Sequence, residues 1–408
     1  MAARYDVAII GGGLVGASLA CALAPFGLKV ALIEAVAFRA ASQPSYDDRT
    51  LALSASSCGI LQGLGIWGSL ESNTTAIREI QVREYQRPGR VVMKPDELGL
   101  DRFGHVVEAR VFGAAIMERL PQLDRLDFLC PAAVTGISVD DDIATIEFTG
   151  EDGDQRIEAS LLVGADGANS FIRESLGIET EKYDYRQTAV ICNITPEQDH
   201  RGRAFECFTP TGPFAVMPHV NGRCGLIWCV SPDQVKKVMA MPELEFLKEA
   251  QLRFGNHLGN FVKMGQRSSY PLRLVRALED VRPRAVILGN AAHAIHPIGA
   301  QGFNLGLRDV AVLAELLWEE SSKGAAADVG NMDLLNRYSN WRERDHSGTI
   351  AYSDGLARLF SNPSPVAATV RTVGLLAHAF IPSLRRQMAV RAMGYRGRIP
   401  RLARGESL

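Results

Sequence analysis

The feature that most constrains this chain is a glycine-rich turn between two short apolar strands. Tyr5–Ile10 has the pattern of a buried strand, GGGLVG follows at once over 11–16, and a helix of small residues is predicted over Ala17–Ala24. A second buried strand over 29–33 ends at Glu34. Strand, helix and strand form a βαβ unit, in which the strands are parallel and the crossover is right-handed. The sequence therefore predicts an α/β fold built on a parallel sheet.

Each glycine of this turn answers a separate steric requirement. Gly11 allows the tight turn from strand to helix, Gly13 lets the backbone approach a pyrophosphate, and Gly16 lets the helix pack on the strand. The helix N-terminus offers free N–H groups and partial positive charge to phosphates. Leu14 and Val15, which lie within the turn, are included in the predicted binding site.

The acidic residue at the end of the second strand strengthens this interpretation. Glu34 follows Gly11 by 23 residues, where a carboxylate can accept hydrogen bonds from both ribose hydroxyls of an adenosine. An acid there favours an unphosphorylated ribose, and so NAD or FAD over NADP. The alternative is a glycine turn that binds no ligand.

Composition excludes several classes of protein. The chain has 408 residues, which predicts two or three domains, and 44 basic against 46 acidic side chains, which argues against nucleic acid as the main partner. No apolar run approaches the roughly 18 residues of a membrane-spanning helix. Seven cysteines without a C-x-x-C pair indicate reduced thiols, and no secretion signal precedes the first strand, so a cytoplasmic protein is expected.

Two further turns follow predicted buried strands. GADGANS over 164–170, with Arg173 after it, follows one strand, and GNAAH over 289–293 follows another. Together with the first turn, these segments resemble the group A flavoprotein aromatic hydroxylases, over roughly residues 5–350. The resemblance implies that the first turn binds the FAD pyrophosphate, the second supports the dinucleotide and the approach of the nicotinamide, and the third holds the ribityl chain and pyrophosphate.

The resemblance also implies individual cofactor contacts, some of which have other interpretations. The residues are Arg49, in an Asp-x-Arg turn that begins at Asp47, Arg110, Val134, Asp166, Gly167, Gly289 and Asn290. The family usually has Gly-Asp where this chain has Gly289-Asn290, and the amide keeps hydrogen bonding but loses a negative charge. Asp166 can equally be a turn and helix-cap residue, and the two arginines can be structural or surface residues.

A fourth segment, HPIGAQGFNLGLRD over 296–309, is rich in proline and glycine. A helix from about Phe303 would point its N-terminus at whatever lies against this loop, which in the family is the isoalloxazine of the reduced flavin. The resemblance places His296, Pro297, Gly299 and Gln301 near the isoalloxazine and adds cofactor contacts at Gly302, Phe303 and Asn304. His293 and His296 could suggest a metal pair, but no third ligand is evident, so no metal is predicted.

Within the family, the fourth segment and Gly-Asn in place of Gly-Asp resemble the ubiquinone-biosynthesis hydroxylases, most closely the 2-octaprenyl-6-methoxyphenol hydroxylase type. This implies that NAD(P)H reduces FAD and that one oxygen atom of O₂ is transferred to a polyprenyl phenol. No protein general base is assigned, because the cofactor carries this chemistry. The alternatives are a reductase or a hydroxylase of soluble aromatics with the same fold, or a non-catalytic flavoprotein subunit of a quinone-biosynthesis complex.

The predicted architecture combines a Rossmann-like FAD-binding domain, of the glutathione-reductase and p-hydroxybenzoate-hydroxylase type, with an antiparallel substrate sheet and a C-terminal helical segment. The FAD-binding parts are expected at 1–75, 106–182 and 273–330. The substrate domain is expected at 76–105, as a hairpin, and at 183–272, as a sheet interrupted by one helix, Glu243–Phe254. The helical segment is expected at 331–408.

The C-terminal segment differs from the rest of the chain in charge. From Ala351 to Leu408 it has nine arginines, no lysine and two acidic residues, for a net charge of +7 in a chain whose total is −2. One interpretation is a peripheral contact with an anionic membrane on the cytoplasmic side. The other is a helical lid, or a contact within a homo-oligomer or a quinone-biosynthesis complex.

Overall fold

The structure is a computed structural model that describes residues 3–37, 49–324, 327–362, 364–395 and 397–408. Asp47, the first residue of the Asp-x-Arg turn, lies outside these ranges. The strands are, in chain order, β1 (Ala3–Ile10), β2 (Val30–Ile33), β3 (Thr50–Ser54), β4 (Thr75–Ala76), β5 (Glu79–Glu84), β6 (Arg90–Met93), β7 (Gly104–Glu108), β8 (Leu126–Leu129), β9 (Ala133–Val139), β10 (Ala144–Gly150), β11 (Gly153–Gly164), β12 (Thr180–Pro196), β13 (Arg203–Thr209), β14 (Gly212–Pro218), β15 (Cys224–Val230), β16 (Phe261–Met264), β17 (Ser268–Ala277), β18 (Val281–Arg282), β19 (Ala285–Ile287) and β20 (His293–Ala294).

The α-helices of the described residues alternate with these strands and then fill the C-terminal quarter of the chain. They are α1 (Leu14–Leu23), α2 (Ala55–Gly63), α3 (Trp67–Leu70), α4 (Ala109–Arg119), α5 (Phe171–Ser175), α6 (Val235–Ala240), α7 (Glu243–Phe254), α8 (Gln301–Ser321), α9 (Met332–Ser361), α10 (Pro365–Phe380) and α11 (Pro382–Ala392).

The first sheet has the strand order β18-β19-β11-β1-β2-β8, and its central pairs are parallel. In the register of these pairs, Ile10 lies opposite both Ile33 and Gly164, and Gly164 lies opposite Ile287. The carboxyl ends of four strands therefore meet at one edge. The glycine turn, Glu34 and the two later turns start from this edge, which is where ligands bind in open α/β sheets.

The first sheet is buried on both faces. Val7 and Ile9 of β1 pack into a core shared with α1, α4 and α8, whereas Ala8 and Ile10 pack into a second core with β10 and α5. Side chains alternate along a strand, so a strand covered on both faces is continuously apolar. This explains why β1 and β2 are uninterrupted apolar runs in the sequence.

The second sheet has the order β20-β17-β12-β15-β14-β13-β5-β6, with β16 beside β12. Its pairs are antiparallel except β13 with β5, which run parallel. One face packs on α6 and α7 around Trp228 and Phe246, and the other faces α9 and α10. The expectation of a single interrupting helix is wrong, because α6 precedes α7. The division at 183 and 272 stays a prediction; β12 and β17 run across these two positions.

The third sheet is small and joins the two larger parts of the fold. Its strands have the order β3-β7-β4, and Thr50 lies opposite Glu108 in an antiparallel register. No pattern in the sequence predicts this sheet. The third sheet brings the segment after residue 49 beside the start of α4.

The C-terminal helices fold back over the second sheet. Among the described residues, no single helix has both the length and the apolar composition needed to cross a bilayer; α10 and α11 meet these criteria only together, and their axes are bent by 96°. After α11 the chain returns to the main core, where Leu402 and Ala403 are buried against α2. A side chain at Gly63 would approach Leu402 Cδ2 to 2.5 Å. The end of the chain is thus part of the core.

Candidate cofactor and substrate site

The first turn is packed so closely that two of its positions admit only glycine. Gly11 has a φ of +107°, and a Cβ there would lie 2.5 Å from the carbonyl oxygen of Ala165. A Cβ at Gly16 would lie 2.0 Å from the carbonyl oxygen of Gly11. Gly13 is the N-cap of α1 and has extended backbone. The turn therefore brings the start of α1 against the second motif.

Two helices begin at this edge without a capping side chain. The N-termini of α1 and α8 have no side-chain cap and no acidic residue in the first turn. Of the other helices, α2, α5, α9 and α10 are capped by the side chains of Ser54, Ser170, Asn331 and Ser364. Helices α3, α4, α6, α7 and α11 are uncapped too, so α1 and α8 are set apart by their place at this edge. Uncapped N–H groups at a helix start attract anions, because the helix dipole is positive there.

The starts of α1 and α8 lie side by side through one small contact. A Cβ at Gly289 would lie 3.1 Å from Val15 Cγ1, and a Cβ at Gly306 would lie 3.1 Å from Val15 Cγ2. Val15 therefore packs between the third turn and α8. Asn290, next to Gly289, is exposed at this point. The edge has the two positive helix ends and the backbone clearance that a dinucleotide pyrophosphate requires.

Backbone N–H groups hold the carboxylate of Glu34 in place at the end of β2. Gly12 N–H donates to Oε2 over 2.7 Å, and Val36 N–H donates to Oε1 over 2.8 Å. Each carboxylate oxygen has a further lone pair, so the group can still accept hydrogen bonds from ribose hydroxyls. Ala132 N–H donates to the Glu34 carbonyl over 2.7 Å, which brings the start of β9, with the half-buried Val134, to the same region.

The polar side chains of the second motif, and the side chain of Arg173 after it, form hydrogen bonds within the protein. Asp166 accepts hydrogen bonds from the Ser170 hydroxyl and from Ile172 N–H, at 3.1 Å for the latter, so its side chain makes the contacts of a turn and helix-cap residue. Gly167, with a φ of +86°, has open space beside it. Arg173 is buried and donates to the carbonyl of Ala291 over 2.8 Å. It therefore ties the second motif to the third, a role that the sequence analysis did not assign.

A buried ionic cluster lies behind the third turn. The Asp309 carboxylate contacts His293 Nε2 at 2.7 Å, His346 Nε2 at 2.6 Å and Arg342 Nε at 2.7 Å. Burial alone would raise the pKa of Asp309, but the histidines and Arg342 hold it well below its ordinary value. Burial alone would likewise lower the pKa of His346, yet Asp309 raises it to about 8. The cluster fixes one charged arrangement beside the third turn.

Among the described residues, this cluster also brings together three side chains of the kinds that bind metal ions. One ligand atom each from His293, Asp309 and His346 lies within 4.8 Å of the others. The Arg342 guanidinium already neutralises the carboxylate, so the geometry is that of an ion-pair network. His296, considered with His293 from the sequence, lies apart from it, with Nε2 3.0 Å from Gln187 Oε1.

His296, the first residue of the fourth segment, is buried and holds the backbone of this segment through a hydrogen bond. It is fully buried, Ile298 N–H donates to Nδ1 over 3.3 Å, and burial lowers the pKa of its imidazole to about 4. It is therefore neutral, with Nε2–H donating to Gln187. Pro297, Gly299 and Gln301, but not His296, line the adjacent cavity.

The Asn304 side chain is fully engaged within the protein. Its Oδ1 accepts from Ser54 N–H at 2.8 Å and from the Ser57 hydroxyl at 2.7 Å, and its Nδ2 donates to the carbonyls of Ala52 and Ala300. It therefore fastens β3 and α2 to the first turn of α8. Gly302 and Phe303, also predicted as cofactor contacts, lie in that first turn.

The two predicted arginines come close to one another at the third sheet. Ala109 N–H donates to the Arg49 carbonyl over 2.8 Å, so Arg49 lies beside the start of α4, which contains Arg110. The guanidinium of Arg49 lies 5.3 Å from the centre of the Tyr270 ring, and that of Arg110 pairs with the buried Glu108. Both arginines thus have protein partners.

A cavity of about 350 Å³ lies between the second sheet, the 297–301 loop and the C-terminal helices. Its walls are largely apolar, with Met93 and Met217 from the sheet, Phe360 from α9 and Leu375 from α10. The cavity therefore joins the loop beside the cofactor edge to the sheet predicted to bind substrate. The C-terminal segment supplies one of its walls.

Comparison with known proteins agrees with this geometry. A family model described as an FAD binding domain matches residues 4–349. The ubiquinone hydroxylase UbiL of Rhodospirillum rubrum is 38% identical over 99% of this chain and 93% of its own length. The 3-demethoxyubiquinol 3-hydroxylase of Escherichia coli is 33% identical over 95% of this chain and 98% of its own.

This chain belongs to the FAD-binding monooxygenase family that includes the ubiquinone hydroxylases. Solved structures agree on the fold: p-nitrophenol 4-monooxygenase PnpA from Pseudomonas putida DLL-E4 matches with a TM-score of 0.79 at 20% identity, over 97% of this chain and all of PnpA. The predicted class, an FAD-dependent aromatic hydroxylase with mixed α/β architecture, is confirmed. The edge of the first sheet and the apolar cavity are the candidate cofactor and substrate parts of the site.

Proposed function

We propose that FAD binds along the edge of the first sheet, with its pyrophosphate at the starts of α1 and α8. The observation that carries this proposal is the pair of uncapped helix N-termini joined through Val15 and Gly289. Glu34 would accept the ribose hydroxyls, and Asn290 would contact the ribityl side. Once bound, FAD takes reducing equivalents from NAD(P)H and activates O₂.

The substrate proposed for this site is a polyprenyl phenol of ubiquinone biosynthesis. The relatives named above are ubiquinone hydroxylases, and the largely apolar cavity suits a lipid-soluble phenol. The 297–301 loop would bring the phenol ring to the reactive side of the cofactor, while apolar walls exclude water from the reaction.

The decisive experiment is to delete the gene in its host and identify the accumulating quinone precursor by mass spectrometry. A prenylated phenol that lacks one ring hydroxyl supports the proposal and identifies the ring carbon, and normal ubiquinone contradicts it. With the purified enzyme, ¹⁸O from ¹⁸O₂ in the product excludes a reductase. A purified protein that takes up no FAD would favour the non-catalytic alternative.

A membrane contact through α10 is part of the same proposal. Val366, Val373 and Phe380 form an exposed apolar stripe, with Phe380 77% exposed, while the opposite face of α10 packs over the cavity. Arg386 on α11 is exposed close by, and the segment as a whole is basic. An apolar stripe beside basic residues suits the cytoplasmic face of an anionic bilayer, from which a prenyl phenol would enter.

Vesicle flotation tests this contact. Val373→Glu with Phe380→Glu should abolish flotation with phosphatidylglycerol vesicles, whereas Leu244→Glu, at an 82% exposed apolar residue on α7, should not. Unchanged flotation of the double variant overturns the membrane contact. A change of oligomeric state in the double variant would instead assign the stripe to a second copy of the chain.

A further inference from the structure

The carboxylate of Glu206 lies in the apolar wall that the second sheet forms on one side of the cavity. On β13, Ala204, Glu206 and Phe208 alternate with residues of the core beneath α7, and all three line the cavity. The cross-strand neighbours of Glu206 are Val82 in β5 and Ala215 in β14. An ionisable group in such a row costs free energy unless it has a partner.

No partner for this carboxylate is present among the described residues. Burial is the one cause that shifts its pKa, which is raised to about 7. Of the other charged groups lining the cavity, Arg308 pairs with Asp345 and Arg371 pairs with Glu84. Arg391 also lines it, and its guanidinium lies against the Tyr352 ring without an ion pair to any described residue. No hydrogen bond or ion pair within the described residues therefore explains a carboxylate at this position, which points to a ligand.

The opposite wall of the cavity presents groups that suit a phenol ring. Tyr352 of α9 lines the cavity, and the Arg391 guanidinium of α11 lies 5.2 Å from the centre of its ring. His378 of α10 lines the same wall. The buried thiols of Cys207 and Cys229 in the sheet, and the Tyr352 hydroxyl, lie near enough to Glu206 for its charge to add to the effect of burial, which raises the pKa of all three and keeps them neutral.

We propose that the Glu206 carboxylate accepts a hydrogen bond from the phenol hydroxyl of the substrate and takes its proton during oxygen transfer. The inference rests on the proposed function, because it assumes a phenol in this cavity. A carboxylate poised near neutral pH can act as such a base, and an apolar wall strengthens its hydrogen bond to the ligand.

One proton moves from the substrate to Glu206 and back during the proposed oxygen transfer. The substrate O–H bond breaks, its proton passes to Glu206, and its electron pair enters the ring, which attacks the electrophilic oxygen supplied by the reduced cofactor and O₂. As the new C–O bond forms, the O–O bond of the oxygen donor breaks and its electron pair stays on the second oxygen atom. The ring carbon then loses its hydrogen as a proton, which restores aromaticity, and the second oxygen atom takes this proton and leaves as water. Glu206 returns the first proton to the phenolate oxygen, so the residue ends the cycle unchanged.

The test compares Glu206→Gln and Glu206→Leu with Glu181→Gln, a matched change at an exposed carboxylate on the same sheet. The probes are a short-chain prenyl phenol and its O-methyl ether, and binding to the FAD-loaded enzyme is followed by the flavin absorbance. The wild type and Glu181→Gln should bind the phenol more tightly than the ether, whereas Glu206→Leu should bind the two equally. Glu206→Gln should lower product formed per NAD(P)H oxidised by about 10²-fold, with the remaining electrons released as hydrogen peroxide.

Stability provides the second measurement. Glu206→Leu should keep or raise the unfolding temperature, because it removes an unpaired carboxyl from an apolar wall; a large decrease would show a structural partner and overturn the inference. Equal preference for phenol over ether in Glu206→Leu and the wild type would also overturn it. If the wild type binds no prenyl phenol but distinguishes tail-free phenols from their ethers through Glu206, the proposed substrate fails and the role of Glu206 stands.

Discussion

The backbone N–H of Gly289 donates a hydrogen bond to the buried carboxylate of Asp309, with 3.0 Å between the two atoms. The same carboxylate contacts two histidines and Arg342. A glycine with a φ of +59°, at the edge where the cofactor is proposed to bind, is thus held by an ionic cluster in the interior. A change in the packing of α8 on α9 should therefore also displace the edge where the cofactor is proposed to bind.

Asp309→Asn should therefore weaken both the fold and FAD retention. Removing one member of a buried ionic cluster leaves the others unpaired and should lower the free energy of unfolding by roughly 4 kcal/mol. Thermal unfolding and the FAD content of the purified protein measure the two effects. Glu343→Gln, at an exposed acid on α9, serves as the control. A variant with wild-type stability would contradict the role given to the cluster.

The raised pKa of His346 predicts a loss of stability at mildly alkaline pH. Because its pKa is about 8 in the fold against 6.5 as the ordinary value, the protonated form is favoured by folding. The contribution, roughly 2 kcal/mol, is fully present below pH 6.5 and is lost as pH rises through 8. Urea unfolding between pH 6 and 9 should show this decline in the wild type and a flatter profile in His346→Gln. Equal slopes in the two proteins would refute it.

Asn304→Ala should destabilise the protein whether or not FAD is bound. It leaves the buried Ser54 N–H and the Ser57 hydroxyl without their acceptor, so a loss of about 3 kcal/mol is expected. Asn290→Ala is the matched amide change: Asn290 is exposed, so the FAD-free protein should keep its stability while its FAD affinity falls. Chemical unfolding and FAD titration separate the two. A loss of stability in Asn290→Ala, together with a loss of FAD affinity alone in Asn304→Ala, would contradict these two assignments.

Gly16→Ala should abolish FAD binding, because its Cβ would lie 2.0 Å from the Gly11 carbonyl oxygen and must displace the turn. Gly355→Ala in α9 is the control. Its Cβ meets nothing within 4 Å, so it should raise stability by up to about 1 kcal/mol through helix propensity. Flavin absorbance of the purified variants reports the outcome, and normal flavin content in Gly16→Ala would contradict the packing described for the turn.

Local patterns were sufficient to predict the edge of the first sheet. The apolar runs of β1, β11 and β19 each end at a recognisable turn, the run of β2 ends at Glu34, and parallel strands bring such ends together without further information. The boundaries of α7 agree with its predicted range, Glu243–Phe254. These features depend on residues close in sequence.

Contacts between distant segments could not be predicted in the same way. The amide of Asn304 is engaged by Ser54, 250 positions earlier, and Arg173 reaches the carbonyl of Ala291. A polar residue beside a glycine-rich loop looks like a ligand contact when its protein partners are unknown. For the same reason, the partners of Asp309 could not be predicted from the sequence, in which this residue is only the last of the fourth segment.

The burial of Leu402 and Ala403 against α2 has a mechanical consequence for α10 and α11. The two helices are joined to α9 at one end and, through this buried anchor, to the core of the first sheet at the other. A segment attached at both ends can bow outward but cannot swing free. The wall that α10 and α11 form over the cavity is therefore held in place at both ends by the rest of the fold.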